Sequence, residues 1–461
     1  MNEQLKVLVS GNLVYASAGT LLSDILGIEK PCGGKGSCGK CTVKVNGVDT
    51  LACQYVLKSD IEVEAPEVSE ILSETGVSEN GRITENLCLA LDIGTTTLAL
   101  ALVSLDDKRI VRVVTATNPQ RMYGADVMTR IEYCQTHSVR KLQEVLIAEI
   151  NRMIGELGVS VDTMYVSANV TMLHTLFGTD CSSIGVFPYT PAFLESKKEN
   201  ADSIGIYGVT TVISLPSVAA FVGADIVAGL NLIGMPDDGK YNLLIDLGTN
   251  AEIVLYSNES GIATAAAAGP CFEGANVSCG MSATAGAIYS FELNYGHSKY
   301  KTVADASPKG ICGTGLIDIV SELLKNELID ESGYMGGNYP ICEGISLSAD
   351  DVRQYQLAKS AVYSAILSLM KAVGIDFEDI SKMYISGGFS AKINIAHATS
   401  TGLLPRKLAN KAVVLNNSSL QGTVKYACEG GNIDRICDMI KYVDLSSNSY
   451  FSELFIKNMM F

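Results

Sequence analysis

The sequence has no excess of positive charge, no tract of biased composition and no long proline-rich run, and each absence excludes a class of protein. Its 461 residues include 34 lysines and arginines against 50 aspartates and glutamates, a net charge of −16. That balance argues against nucleic acid or an anionic membrane as the main partner. Hydrophobic residues make up 47% of the chain and charged residues 18%, which is typical of a globular protein with about two to four domains.

An export signal is also absent from the N-terminal stretch MNEQLKVLVS, which has an early acid and no long apolar core. We therefore expect a cytoplasmic protein. The longest uncharged stretch, 203–224, contains a proline, several hydroxyls and three glycines. These residues favour a buried strand, a turn and a small-residue helix over 215–230, and they disfavour a membrane span. The thirteen cysteines are an odd number, which argues against a disulfide framework.

Four of the cysteines are clustered, in PCGGKGSCGKC and in the LAC that follows it. Their spacing is C-x5-C-x2-C-x11-C, and the residues are Cys32, Cys38, Cys41 and Cys53. Thiolates are the ligands of iron–sulfur clusters, and glycines in such a loop let backbone amides point at the sulfurs. Four cysteines suffice for a two-iron centre. A tetrahedral zinc site and free cysteines in a glycine-rich loop are the alternatives.

The surroundings of the cysteines predict a small β-grasp domain over residues 1–66. QLKVLVSG and NLVYASAG are β-rich runs around a glycine turn, TLLSDILG predicts a short helix, and TVKVNG and DIEVEAP predict later strands. Residues 67–86 are acidic and contain two glycines, so we interpret them as a linker. From Leu87 onward, strand and helix patterns alternate to the C-terminus.

An internal repeat marks this larger region. LALDIGTTTLAL (89–100) matches LLIDLGTNAEIV (243–254), with Asp, Gly and Thr in register, and YGADVMTRI (123–131) matches VGADIVAGL (222–230) less closely. The spacing predicts two related α/β subdomains, over 87–240 and 241–461. The second of these includes the C-terminal return of the chain.

Both copies of the Asp-Gly-Thr motif predict a strand, a tight turn and a second strand. The sequence has no GK[ST] P-loop signature at either turn, so phosphate binding at a helix N-terminus is not expected. Instead, the glycine lets the backbone approach a phosphate, threonines offer hydroxyls and amides, and Asp92 can hold a hydrated magnesium ion. Residues of the two turns that we expect at the phosphates are Gly94, Thr95, Thr96, Thr97, Gly248, Thr249 and Asn250.

Two further glycine motifs follow. In MYISGGFSAKI (383–393), a strand runs into a glycine pair and then a helix, which suits an adenosine; the residues are Gly387, Gly388, Phe389 and Ser390. GICGTGLID (310–318) places glycines at a helix start, and its candidate cofactor contacts are Gly313, Thr314 and Gly315.

These motifs resemble known families. The cysteine loop is similar to that of plant-type and vertebrate-type two-iron ferredoxins, whose plant-type centres have potentials near about −400 mV. The motifs over 87–461, in this order, resemble the actin, sugar-kinase and heat-shock-chaperone ATPases. That resemblance implies two ribonuclease H-like subdomains with magnesium-ATP in the cleft between them.

The whole chain resembles the reductive activators of corrinoid proteins, also called corrinoid activation proteins. The stretches that carry this resemblance include NPQRMYGADVMTRI (118–131), ANVTMLHTLFG (168–178), AAAAGPCFEGANVSCGMSATAGAI (265–288) and the C-terminal ELFIKNMMF. The resemblance implies ATP-dependent, one-electron reduction of an inactive cobalt(II) corrinoid to cobalt(I). It also implies a 2Fe–2S cluster, ATP and Mg²⁺ as cofactors. The implied partners are a corrinoid protein of a methyltransferase system and an external low-potential electron donor, and the implied assembly is a homodimer.

The roles that follow from the resemblance are specific. The four clustered cysteines hold the cluster, Asp92 and Asp246 lie on the magnesium side, and Glu252 orients water, with a solvated strand residue as the alternative for Glu252. His174 fits a core histidine better than a ligand. Two other functions stay open at this point: an activator of another low-potential enzyme, such as an acyl-CoA dehydratase or a ring reductase, and a nucleotide-gated redox sensor.

Overall fold

Short strands separated by glycine turns form a five-stranded sheet near the N-terminus. In this computed structural model the described residues are 4–9, 12–26, 28, 30, 34–36, 39, 41–64, 86–388 and 390–461. The sheet has the order β2-β1-β5-β3-β4, in which β1 and β5 are parallel and the other pairs antiparallel. Its elements are β1 (Gln4–Val9), β2 (Asn12–Ser17), α1 (Leu22–Leu26), β3 (Thr42–Val45), β4 (Val48–Leu51) and β5 (Ile61–Glu64).

The alternation of apolar and polar residues along these strands explains the packing of this small sheet. Val7, Val43 and Val63 point to one face and are almost fully buried, and Leu22 of α1 covers them from that side. The predicted strands and the predicted helix are confirmed.

The next strands build a six-stranded sheet with the order β10-β11-β9-β6-β7-β8. β6 pairs antiparallel with β7 and parallel with β9, and β9 pairs parallel with β11. The elements are β6 (Leu87–Ile93), β7 (Thr97–Ser104), β8 (Arg109–Thr117), α2 (Val127–Thr136), α3 (Val139–Leu157), β9 (Val161–Ala168), α4 (Val170–Leu176), β10 (Lys198–Asn200) and β11 (Val209–Ser214).

A second six-stranded sheet repeats this plan, with the order β21-β20-β12-β13-β14-β22. Again an antiparallel β12–β13–β14 meander is flanked by a parallel strand, β20. The predicted internal repeat is thus confirmed in the topology. The elements from 215 onward are α5 (Ala224–Ile233), β12 (Tyr241–Leu247), β13 (Ala251–Tyr256), β14 (Gly261–Ala266), β15 (Ala287–Asn294), β16 (His297–Thr302), β17 (Gly310–Ile311), α6 (Gly313–Lys325), β18 (Tyr339–Cys342), β19 (Ile345–Leu347), α7 (Ala349–Val373), β20 (Ile380–Ser386), α8 (Ile395–Ser400), β21 (Ala412–Val414), α9 (Ser418–Glu429), α10 (Ile433–Met439), β22 (Ile440–Tyr442) and α11 (Ser449–Lys457).

Two compact units contain these elements. The first comprises the described residues of 1–69, 86–104 and 110–214, and the second those of 105–109 and 215–461. The first unit therefore holds both the small N-terminal sheet and the first six-stranded sheet. Within the described ranges, no helix combines the length and the apolar character that a membrane span needs.

One predicted helix is wrong over part of its length. We expected a helix over 215–230, but α5 begins only at Ala224. The preceding residues form a tight loop, in which the Val218 N–H donates to the Val222 carbonyl at 2.9 Å. The small residues of α5 do allow a close approach, because α9 packs against it with Gly422 directly over the Ala228 carbonyl.

Candidate functional site

The first Asp-Gly-Thr motif forms the predicted hairpin turn between β6 and β7. Asp92 pairs with Ala99 near the end of the ladder, and the Gly94 N–H donates to the Thr97 carbonyl at 3.0 Å. Asp92 is half-buried, as are Gly94, Thr95 and Thr96. The turn is therefore accessible at the end of a sheet whose strands are otherwise buried.

Side chains from distant parts of the chain hold the carbonyl groups of this turn. Asn118 donates its Nδ2 to the Gly94 carbonyl at 2.8 Å, and its own N–H donates to the Thr96 carbonyl at 2.9 Å. Arg130, which is fully buried, donates a guanidinium N–H to the Thr95 carbonyl at 2.5 Å. These two residues lie in the stretch NPQRMYGADVMTRI, to which the sequence alone assigned no role.

The hold on the carbonyls fixes where the amides point. In a trans peptide, the N–H is directed away from the carbonyl that precedes it. Because the Gly94 and Thr95 carbonyls are held by Asn118 and Arg130, the N–H groups of Thr95 and Thr96 point away from those two side chains. None of the hydrogen bonds between described residues uses these two N–H groups. Successive free amides of this kind are an anion-binding arrangement.

The second Asp-Gly-Thr turn, between β12 and β13, is one residue shorter than the first. Here the Gly248 N–H donates to the Asn250 carbonyl at 3.0 Å, and Asp246 pairs directly with Glu252 across the ladder. Since directly paired residues share one face of a sheet, the shorter turn brings the two carboxyl groups together. The solvated alternative for Glu252 is wrong, because this side chain is half-buried and within reach of other acids.

Acidic side chains surround this second turn. Burial, followed by the charges of Asp246 and Asp225, raises the pKa of Glu252 well above its ordinary value. Burial also raises the pKa of Asp246, although Ser386 Oγ donates to its Oδ2 at 2.5 Å and opposes that rise. Thr249 Oγ1 donates to Glu273 Oε2 at 2.5 Å. A divalent cation would offset the mutual repulsion of these carboxylates, and a Mg²⁺ ion at this turn stays a prediction.

The predicted adenosine motif lies next to this turn, at the end of β20. Gly387 has φ +114°, and a Cβ there would lie 2.1 Å from the Leu247 carbonyl, so only glycine fits. Ser390 is buried and donates its Oγ to the Gly387 carbonyl at 2.9 Å, which closes the loop. Gly388 is unobstructed on its Cβ side, whereas Phe389 lies outside the described residues. The predicted helix after this loop begins as a single 3₁₀ turn and continues as α8.

The glycines of GICGTGLID begin α6, as predicted, but in a buried position. A Cβ on Gly313 would lie 2.1 Å from the Phe272 carbonyl, and one on Gly315 would lie 2.1 Å from the Ile288 carbonyl. Thr314 is also buried. Close packing thus accounts for both glycines, and a cofactor contact for these three residues stays a prediction.

Two of the four clustered cysteines are described, and both are buried. Cys41 is 2% exposed and Cys53 is 4% exposed, and the Ala52 N–H donates to the Cys41 carbonyl at 3.0 Å. Cys32 and Cys38 lie outside the described residues. Among the residues that are described, no group of three or more His, Cys, Asp or Glu has the geometry of a metal site. Binding of an iron–sulfur cluster by these cysteines stays a prediction.

His174 is a core residue, as predicted. It lies in α4, its Nδ1 is 2.8 Å from the Val170 carbonyl, and its Nε2 accepts the Ala192 N–H at 3.0 Å. Burial lowers its pKa. These contacts leave His174 no role as a ligand.

Comparison with known proteins identifies the family. The model described as the C-terminal domain of RACo, the ASKHA domain, matches residues 240–461, and the model described as the RACo middle region matches residues 87–238. Together they match about four fifths of the chain. The chain belongs to the RACo family.

Relatives of this RACo-family chain are similar over most of their length. The corrinoid activation enzyme RamQ of Eubacterium limosum is 28% identical over 416 residues, which are 81% of this chain and 70% of that protein. The [Co(II) methylated amine-specific corrinoid protein] reductase of Methanosarcina barkeri is 25% identical over 402 residues, 77% of this chain and 72% of that protein.

A solved structure shares this fold. The reductive activator for corrinoid, iron–sulfur protein superposes with a TM-score of 0.72 at 25% identity, and the match covers 99% of this chain and 98% of that one. The predicted relation to reductive activators of corrinoid proteins is confirmed. The predicted ATPase fold of the actin, sugar-kinase and heat-shock-chaperone type is also confirmed, and this fold implies nucleotide binding.

Proposed function

We propose that this protein is an ATP-dependent reductive activase of a corrinoid protein. It returns a cobalt(II) corrinoid, which is its substrate, to cobalt(I) by transfer of one electron, and ATP hydrolysis accompanies the transfer. The electron comes from an external low-potential donor. The functions named for RamQ and for the Methanosarcina barkeri reductase support this proposal.

The observation that carries the proposal is the presence, on one chain, of a cysteine-bearing module and a duplicated ASKHA-type ATPase plan. The N-terminal sheet, with β1 and β5 parallel at its centre and α1 packed on one face, supports the assignment of a β-grasp domain. Such a module next to an ATPase suits a protein in which nucleotide chemistry drives electron transfer, and it has no use in a simple kinase.

For the nucleotide, we assign the two turns to the phosphates. The residues we assign are Thr95 and Thr96, through their amides, in the first unit and Gly248, Thr249 and Asn250 in the second unit. Asp92 and Asp246 bind the magnesium side, and Gly387, Gly388 and Ser390 bind the adenosine. Glu252 pairs directly with Asp246 across the ladder, and we assign it the orientation of the attacking water.

For the electron carrier, we assign Cys32, Cys38, Cys41 and Cys53 to a 2Fe–2S cluster, which supplies one-electron redox chemistry when it is bound. ATP is needed because the step is uphill. For one electron, each 59 mV of deficit is a tenfold penalty, or about 1.4 kcal/mol. A deficit of a few hundred millivolts therefore requires several kcal/mol, which is within the range of ATP hydrolysis.

The test measures ATP hydrolysis by iron-replete protein with and without a cobalt(II) corrinoid protein and a low-potential reductant. We expect the corrinoid protein to stimulate hydrolysis. Asp246→Asn should abolish hydrolysis, and Cys53→Ser should abolish cobalt reduction while nucleotide still binds. Cys428→Ser, which replaces a half-buried cysteine in α9, is the matched control and should behave as wild type. The proposal would be overturned if the purified protein held zinc in place of iron and sulfide, or if the rate of ATP hydrolysis did not respond to the corrinoid protein.

A further inference from the structure

The first compact unit contains both the phosphate turn at Gly94–Thr96 and the N-terminal module, and a single segment contacts both. We call the described residues between 4 and 64 the cysteine-loop module, and residues 118–136, which end with α2, the coupling segment. The coupling segment contains a 3₁₀ turn (Pro119–Met122) followed by α2, which begins with a capping box between Asp126 and Thr129.

On one side, the coupling segment holds the phosphate turn. Asn118 contacts Gly94 and Thr96, and Arg130 contacts Thr95, as described above. The Arg130 guanidinium is anchored within the same segment, since its Nε donates to the Gly124 carbonyl at 2.9 Å. A shift of α2 would therefore move the groups that direct the amides of the turn.

On the other side, the coupling segment contacts the cysteine-loop module. Glu132 Oε2 accepts a hydrogen bond from Lys35 Nζ at 2.7 Å, and Lys35 lies in the glycine-rich cysteine loop. Lys30 Nζ, which is hydrogen-bonded to Asp24, lies 6.0 Å from the centre of the Tyr123 ring. The surface is continuous, because the Tyr123 ring packs against that of Tyr133 with centroids 5.0 Å apart.

The pKa shifts of Tyr123 and Tyr133 agree with this contact. Burial is the largest cause of the raised pKa of Tyr123, and the charges of Tyr133 and Asp24 follow it. Burial and then Asp24 likewise raise the pKa of Tyr133. Asp24 belongs to α1 of the module, so α1 lies within electrostatic range of both tyrosines.

We propose that the coupling segment links nucleotide binding at the phosphate turn to packing of the cysteine-loop module against Tyr123 and Glu132. When the module packs against Tyr123 and Glu132, it fixes the position of α2. Through Arg130, α2 then holds the turn in its phosphate-binding conformation. Nucleotide binding at the turn in the same way favours this packing of the module, since coupling between two sites is reciprocal. The inference rests on the proposed function and extends it, because it names the path by which nucleotide regulates the electron-carrying module.

The experiment is a charge-reversal cycle on the Lys35–Glu132 pair, which is half-exposed, so that its replacement does not disturb the core. The dissociation constant of a non-hydrolysable ATP analogue with Mg²⁺ is measured for the wild type, Glu132→Lys, Lys35→Glu and the double reversal. Each single reversal should raise the dissociation constant about 2- to 5-fold, the scale of one exposed ion pair. The double reversal should restore the wild-type value, and high salt should shrink the differences.

The control is Glu149→Lys, which breaks an ion pair with Arg152 within α3 and should leave the dissociation constant unchanged. A second readout is amide hydrogen exchange, in which the analogue should slow exchange in Leu22–Leu26 of the wild type and not of Glu132→Lys. Three results would overturn this inference alone. The first is that the single reversals leave the dissociation constant as unchanged as Glu149→Lys does, and the second is that the double reversal weakens binding by the sum of the two single effects. The third is that the analogue does not change hydrogen exchange in Leu22–Leu26. Absence of nucleotide binding by the wild type would instead overturn the proposed function.

Discussion

Gly422 in α9 provides a sharp test of how the second unit is packed. A Cβ added there would lie 1.8 Å from the Ala228 carbonyl oxygen and 2.3 Å from its carbon, both of them backbone atoms of α5. Since the contact is with backbone, no side-chain rotation can relieve it, and α9 must move away from α5 by more than 1 Å or so. Overpacking of this kind costs about 3 kcal/mol or more, and the better helix propensity of alanine returns about 1 kcal/mol.

We therefore expect Gly422→Ala to destabilise the protein by about 2 kcal/mol. The effect should also reach the candidate site, because α5 carries Asp225, one of the acids near Glu252. Nucleotide turnover should fall together with stability.

The assay is chemical denaturation, with the midpoint of the transition as the measure, because a chain with two compact units need not unfold in one step. The matched control is Gly155→Ala in α3, where a Cβ would meet no atom within 4 Å. That change should stabilise the protein by about 0.5–1 kcal/mol. If both substitutions shift the midpoint upward, the close approach of α5 and α9 is refuted.

Three other predictions concern single side chains. Asn118→Ala removes the donor to the Gly94 carbonyl and should lower the free energy of unfolding by about 1–3 kcal/mol. It should also raise the KM for ATP more than it lowers kcat, and an unchanged KM would contradict the assigned role. The pKa of Glu252 is raised in the folded state, so its contribution to stability falls as the pH rises from its unfolded-state pKa towards its folded-state pKa. Glu252→Gln should therefore be more stable than the wild type in thermal denaturation at neutral pH, and it should lose ATP hydrolysis. Burial lowers the pKa of Lys359 from 10.5 to about 8, so the free energy of unfolding of the wild type should rise by about 3 kcal/mol between pH 8 and pH 10.5. Lys359→Met should abolish that rise, and a rise that persists in this variant would exclude Lys359 as its source.

Local signals made the turns predictable from sequence. The Asp-Gly-Thr hairpins follow from alternating apolar strands around a glycine, and the duplication follows from matching motifs at 89–100 and 243–254. The pairing of Asp246 with Glu252 was harder to see, because it depends on a turn one residue shorter than its counterpart. A one-residue change in register moves a side chain to the other face of a sheet.

The supports of the turns could not be predicted, because they come from far away in the chain. Arg130 reaches Thr95 across 35 residues, and Ser386 reaches Asp246 across 140. No local pattern reports such contacts. The helix expected over 215–223 failed for a related reason, since small apolar residues form a buried loop as readily as a buried helix when the tertiary contacts favour it.

The proposed function requires that ATP drive one electron from a cluster bound by the four cysteines to a corrinoid cobalt. The most direct measurement is the visible spectrum of a cobalt(II) corrinoid protein, kept anaerobic with iron-replete protein and a low-potential reductant, before and after addition of Mg-ATP. We expect the cobalt(I) spectrum to develop only after ATP is added. Development of the same spectrum, at the same rate and to the same extent, without any nucleotide would contradict it.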